Sequence, residues 1–127
     1  MPSISQRVFP VFRILDEAEA KAFYVGRLGF SVDWEWRHEP GFPIFMNVSR
    51  DGLAFFLSEH SGDAEVGGRV YLAVEDVDAW YAEIQERGLE ADSPPQDQPW
   101  GQREVTYCDP FGNRVTLGQR LEGDTKA

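Results

Sequence analysis

The chain repeats itself at an offset of 60 residues. Asp16 answers to Asp76, Ala22 to Ala82 and Leu57 to Leu117. In each half an apolar strand, Arg7 to Leu15 and then Arg69 to Val74, runs into a helix led by aspartate. A chain that repeats one strand-helix-strand unit must bury the same faces twice, which favours two similar modules over one sheet wound continuously. At 127 residues the two units fit one domain, about 7–60 and 68–119, and that length buries a core without disulfide or metal staples.

Local signals fill in each unit. The first helix begins near Asp16, where Asp16 and Glu19 have the spacing of a capping box with Asp as the cap. Ala18, Ala22 and Val25 are expected as its inward stripe. The second helix carries Val77, Trp80, Tyr81 and Ile84 at the i, i+3, i+4, i+7 spacing of one buried face. Gly29 and Gly88 stand where each helix needs a left-handed terminating residue. After the first helix, Phe30 to Arg37 alternates through Val32, Trp34 and Trp36, a strand with one aromatic face. Ile44 to Arg50 and Leu53 to Glu59 follow, joined by a tight turn at Arg50-Asp51-Gly52.

The second half offers Gln102 to Asp109 and Arg114 to Gln119 around the turn Asp109-Pro110-Phe111-Gly112-Asn113. Ala91 to Pro99, rich in Pro, Asp and Gln, reads as loop, which puts the repeat's remaining strand near Leu89. Residues after Leu121 read as a frayed tail. Each unit therefore reads as βαβββ, and the fold class is α+β. Phe23, Phe30, Phe55 and Tyr81 are assigned to the core.

Charge narrows the partners. Asp and Glu number 22 against 12 Lys and Arg, a net charge of −10, which opposes binding to a phosphate backbone or an anionic membrane. Apolar runs such as Leu53 to Leu57 are too short to span a bilayer, and the N-terminus lacks the layout of a secretion signal; a cytoplasmic protein is expected. The single cysteine, Cys108, excludes an internal disulfide and reads as a small buried hydrophobe in a strand.

Two segments carry a family resemblance. "AFYVGRLGFSVDW", Ala22 to Trp34, resembles the first helix and following strand of the vicinal oxygen chelate superfamily, the glyoxalases, bleomycin resistance proteins and extradiol dioxygenases. "QPWGQREVTYCDPFGNRVTL", Gln98 to Leu117, is similar to the Pro-Trp-Gly, Arg-Glu and Asp-Pro-x-Gly-Asn signature of its bleomycin resistance branch. Between them "VYLAVEDVDAWYAEI", Val70 to Ile84, matches the start of the second repeat. The resemblance spans residues 7–119 and implies two curved mixed sheets forming a cleft, with a helix on the outer face of each.

In metal-dependent members, four positions facing the cupped sheets supply His, Gln or Glu to a divalent metal. Register places these at Phe9, Phe56, Arg69 and Thr116, none of them a usual ligand: a phenyl ring has no lone pair and a guanidinium is a permanent cation. No metal and no cofactor is therefore expected. The alternative is a lyase, isomerase or dioxygenase using His38, His60 and carboxylates not yet assigned.

What the resemblance implies without metal is binding. Bleomycin-type glycopeptides join a flat bithiazole to a cationic tail, so a binder needs aromatic walls and carboxylates. By resemblance the ligand contacts are Asp33, Trp34, Phe56, Ser58, Tyr71, Trp100 and Gly101, with Asp33 and Glu35 meeting the cationic portion. Arg103 and Glu104 belong to the signature, either as an internal ion pair or as ligand contacts. The resemblance further implies a homodimer with clefts where subunits meet. A binder of an endogenous planar or cationic metabolite is the remaining reading.

Overall fold

The computed structural model describes residues 6–121, so the expected tail after Leu121 lies outside the described residues. Repeat one comprises β1 (Val11–Arg13), α1 (Glu17–Lys21) continued by a π-helical segment (Ala22–Arg27), β2 (Ser31–Trp36), β3 (Phe45–Arg50) and β4 (Leu53–Ser58). Repeat two comprises β5 (Arg69–Ala73), α2 (Val77–Glu86), β6 (Gln96–Asp97), β7 (Gln102–Cys108) and β8 (Arg114–Arg120). The strands form two four-stranded mixed sheets of identical order, β1-β4-β3-β2 and β5-β8-β7-β6. The repeat holds to the residue: Val11 pairs in parallel with Phe56, and sixty positions on Tyr71 pairs in parallel with Thr116.

Both helices start as the sequence indicates. Asp16 accepts from the Glu19 amide at 2.8 Å and Asp76 from the Ala79 amide at 3.0 Å, satisfying donors that the first turn leaves free. Gly29 and Gly88, at φ 79° and 96°, end them in the left-handed region. The second helix buries Val77, Trp80 and Ile84 as expected, with Tyr81 half-buried against the core.

The first helix is rotated from the expected phase. Ala18 and Ala22 are exposed and Val25 only half-buried, whereas Ala20, Phe23, Tyr24 and Leu28 are buried. The aromatic pair and Leu28 remove far more apolar surface from water than the alanine stripe could, so they set the inward face. The wider turn, in which the Leu28 amide donates to the Phe23 carbonyl at 2.9 Å, carries that face through to Phe30.

Three further expectations are corrected. The first strand is Val11–Arg13 rather than Arg7 to Leu15. The missing strand of repeat two lies at Gln96–Asp97, not near Leu89, because its partners Glu104 and Arg103 are reached only there. Cys108 is exposed, not buried: at the end of β7 it shares a face with Gln102, Glu104 and Thr106, turned away from the core.

One continuous core joins the halves on their helix sides. Phe30 of repeat one meets Trp80 of α2 edge-on at 6.4 Å, and Arg50 on β3 lies over the Trp80 ring at 3.8 Å while donating to Glu83 at 2.8 Å. The Asp109-Pro110-Phe111-Gly112-Asn113 turn forms the second joint. The buried Asp109 carboxylate accepts from the Tyr24 hydroxyl at 2.7 Å and, at 2.8 Å each, from the Phe111 amide, the Asn113 amide and Asn113 Nδ2. Asn113 reaches on to the Arg13 carbonyl and accepts from the Gly67 and Gly68 amides. Burial, reinforced by the Asp109 charge, holds the Tyr24 phenol protonated far above its usual range. The signature turn is thus the weld between repeats.

Candidate functional site

With the helices and core on one side, each sheet leaves its other face open as a shallow cup. Strand alternation decides what stands there. On β4, Phe55 and Leu57 enter the core and Phe56 faces the cup; on β3, Met46 and Val48 enter the core and Phe45 and Asn47 face the cup. On β2 the pairing register shifts between Val32 and Trp34. This bulge at Asp33 lets Val32 pack against the core while Trp34 and Trp36 both turn to the cup.

The cup of repeat one is a cluster of rings. Phe9 and Phe56 stack at 5.0 Å and 6°. Trp34 lies parallel to Phe45 at 5.9 Å and tilted against Phe56 at 5.6 Å, with Phe45 and Phe56 5.1 Å apart. Trp34 remains 46% exposed, a flat platform open to solvent. At the rim Trp36 stacks on His60 at 6.3 Å and meets His38 edge-on at the same distance. Beneath the rings, Asp33 accepts from Asn47 Nδ2 at 2.8 Å and the Ser49 hydroxyl at 2.9 Å.

The cup of repeat two is polar. Tyr71 lies across Gly118, where a Cβ would overlap its hydroxyl, so only glycine admits the ring. The Tyr71 hydroxyl donates to Gln102 at 3.2 Å, and burial, followed by the neighbouring Glu104 carboxylate, pushes its phenol up to about 12. Trp100, 63% exposed, donates its indole N–H to Glu104 at 2.8 Å. Arg103 faces the other way, bonded to Asp78 on α2 and Asp97 on β6. The two signature residues therefore do not pair: Arg103 ties β7 to its neighbours and Glu104 orients Trp100.

Of the expected contacts, Trp34, Phe56 and Asp33 come together in the first cup, and Tyr71 and Trp100 in the second. No ring contact or hydrogen bond among the described residues joins the two groups within the chain. Ser58 is fully buried, its hydroxyl donating to Asp63 at 2.6 Å and accepting from the His60 amide, and so is spent internally. Gly101 is buried in the turn that presents Trp100, its amide bonded to the Gln98 carbonyl. Glu35 sits on the helix side, bonded to Lys21 at 2.9 Å, and does not face the cup. The sequence reading missed Phe45 and Asn47, although the alternation of β3 around the buried Met46 and Val48 points to them. Two larger hollows, of about 750 and 650 Å³, lie beside the two helices, and their charged lining includes side chains already paired with one another, such as Glu17 with Lys21 and Arg50 with Glu83.

The residues present do not fit a divalent metal. At the four positions where the metal-dependent pattern needs donors, Phe9 is stacked on Phe56 and Arg69 donates to Thr116 Oγ1 at 3.2 Å. Among the described residues no three His, Cys, Asp or Glu side chains gather in a metal-binding group. His38 and His60 flank Trp36 instead.

Comparison with known proteins agrees with the two-sheet fold. A family model described as glyoxalase superfamily protein matches residues 3–124. The uncharacterized protein YraH of Bacillus subtilis (strain 168) is 26% identical over 118 residues, 84% of this chain and 91% of that protein. Among solved structures, TnmS3, an antibiotic binding protein from Streptomyces sp. CB03234, superposes with a TM-score of 0.70 at 29% identity, covering 93% of this chain and 99% of that one. A bleomycin-binding protein complexed with bleomycin superposes at 0.72 with 23% identity, covering 91% and 99%, a likeness of fold. The chain belongs to the glyoxalase superfamily.

Proposed function

We propose that this protein is a metal-free binder that sequesters planar aromatic small molecules of the bleomycin type and performs no chemistry on them. The observation that carries this reading is the ring cluster of the first cup: aromatic stacking surface occupies two of the four positions where a metal would need donors. Offset stacking on an exposed indole favours flat, polarisable ligands of many kinds. Asp33, fixed by Asn47 and Ser49, places a carboxylate beside the platform for a cationic tail. The likeness to TnmS3, an antibiotic binding protein, supports small-molecule binding, on a fold shared with the bleomycin-binding protein.

The reading includes a second copy of the chain. Trp34, Trp36, Tyr71 and Trp100 stand exposed on the two cups, aromatic surface of the kind that interaction sites present. A two-fold dimer that sets the first cup of one protomer against the second cup of its partner would enclose a ligand between rings and polar groups.

The test is a titration with metal-free bleomycin in the presence of a chelator, followed by tryptophan fluorescence. Saturable binding at one ligand per chain is expected, weakened at least tenfold by Phe56→Thr, which gives the first cup the residue that its counterpart carries in the second. Binding that appears only with a divalent cation would instead support the metal-dependent lyase, isomerase or dioxygenase reading.

A further inference from the structure

Arginine placement in this chain follows a pattern. Acidic residues outnumber basic ones 22 to 12, and four arginines on the helix sides find carboxylates: Arg37 with Glu17, Arg50 and Arg87 with Glu83, Arg103 with Asp78 and Asp97. On the second cup, Arg69 and Arg114 are register partners on the parallel strands β5 and β8, and neither forms an ion pair among the described residues. Like charges set side by side on a sheet face destabilise it, so the fold gains nothing from this pair. Arg69 is also held in place: its guanidinium donates to the fully buried Thr116 hydroxyl, which is in turn hydrogen-bonded to Thr106 at 2.8 Å.

Both arginines line a hollow of about 230 Å³ together with Thr106, Gln96 and Gln98. Glu104 and Asp92 border it as well, but Glu104 is engaged by the Trp100 indole and Asp92 meets neither arginine as an ion pair. The volume falls below the range of about 300–1,000 Å³ usual for a whole drug-sized ligand and suits a single substituent. Guanidinium groups match the geometry of an oxyanion and hydrogen-bond it through parallel N–H donors.

We propose that Arg69 and Arg114 form an oxyanion subsite on the second cup, which takes the carboxylate of a planar ligand whose ring system is bound by aromatic stacking. The proposal rests on the planar-ligand reading above and extends it from cationic ligands, whose charge Asp33 meets in the first cup, to planar ligands that carry a carboxylate. The same two arginines would raise the local concentration of such anions against the acidic charge of the chain as a whole.

Two probes that share a ring system and differ in charge test it: 1-pyrenecarboxylate and 1-pyrenemethylammonium, titrated by fluorescence into the wild-type chain and into Arg69→Gln/Arg114→Gln. The carboxylate is expected to bind the wild type at least tenfold more tightly than the ammonium, and the double variant to lose that preference. Its melting temperature should be unchanged or higher, since the like-charge contact is relieved. Equal binding of both probes, or a preference that survives the double substitution, would overturn the subsite and leave the planar-ligand reading standing. Failure of both probes to bind would remove that reading and the subsite with it. If the double variant instead dissociates a dimer in sedimentation while keeping its preference for the carboxylate, the arginines serve the partner's carboxylates and the subsite is refuted.

Discussion

Phe56 on β4 and Thr116 on β8 occupy the same place in two copies of one topology, yet the first belongs to a stack of rings and the second to a chain of hydroxyls ending at a guanidinium. Behind them the two modules agree closely. Leu57 and Leu117 are both buried, Asp16 and Asp76 both cap their helices, and the sheets share one strand order. The contrast separates two demands on the sequence. The helix-facing side must pack and is held to apolar residues at fixed spacing, whereas the cup side is free of that requirement and has diverged into an aromatic surface and a polar, basic one. Within this chain, ligand chemistry is to be sought where the repeats differ.

The largest expected effect comes from breaking the weld on which the comparison depends. Asp109→Ala strands four donors, including the buried Tyr24 hydroxyl, and should cost roughly 3–5 kcal/mol in urea unfolding. A loss below about 1 kcal/mol would mean that the halves are joined by the helix-side core alone.

Next is Trp100, which stands on the cup side of that divide. Trp100→Ala should weaken bleomycin binding by about 1–3 kcal/mol, the range for losing a stacking platform, with little change in stability because the ring is exposed. A core tryptophan would give the opposite result, about 3–5 kcal/mol of stability lost and affinity unchanged.

The smallest effect lies on the outer face of repeat one. Hydrogen bonds from Lys21, then Arg37, hold the Glu17 carboxyl below its ordinary value of 4.5. A lowered folded-state pKa contributes stability that is present above the unfolded value and lost as pH falls through the folded one. Glu17→Gln should therefore destabilise by about 0.5 kcal/mol at neutral pH, as expected for a solvent-screened pair, and by nothing measurable at pH values below the folded pKa. Chemical denaturation at both pH values reads the difference.

Legibility in the sequence followed the same divide. The repeat, the caps, the α2 stripe and the hairpin turns were readable because each rests on local spacing. The phase of the first helix was not: choosing between Ala18-Ala22-Val25 and Ala20-Phe23-Tyr24-Leu28 depends on what the opposing sheet accepts, and the π-helical turn breaks the 3.6-residue period. The displaced strand Gln96–Asp97 had no pattern of its own and exists through its pairing with β7. Trp34 and Trp100 were legible as exposed aromatics, but the orientation of Glu35 was not, because alternation across the bulge at Asp33 loses its phase. Ser58 lies on the cup-facing side of its strand, and only its contact with Asp63 takes it out of reach.

The four tryptophans provide the most direct test of the account. Trp34, Trp36 and Trp100 stand on the cups, while Trp80 on α2 is buried beneath Arg50. In a proton–nitrogen correlation spectrum their indole N–H groups give four separate signals, to be followed as metal-free bleomycin is added. If the cups hold the ligand, the Trp34 and Trp100 signals move in a saturable way and that of Trp80 stays in place. Movement of Trp80 while the cup signals remain unchanged would contradict it.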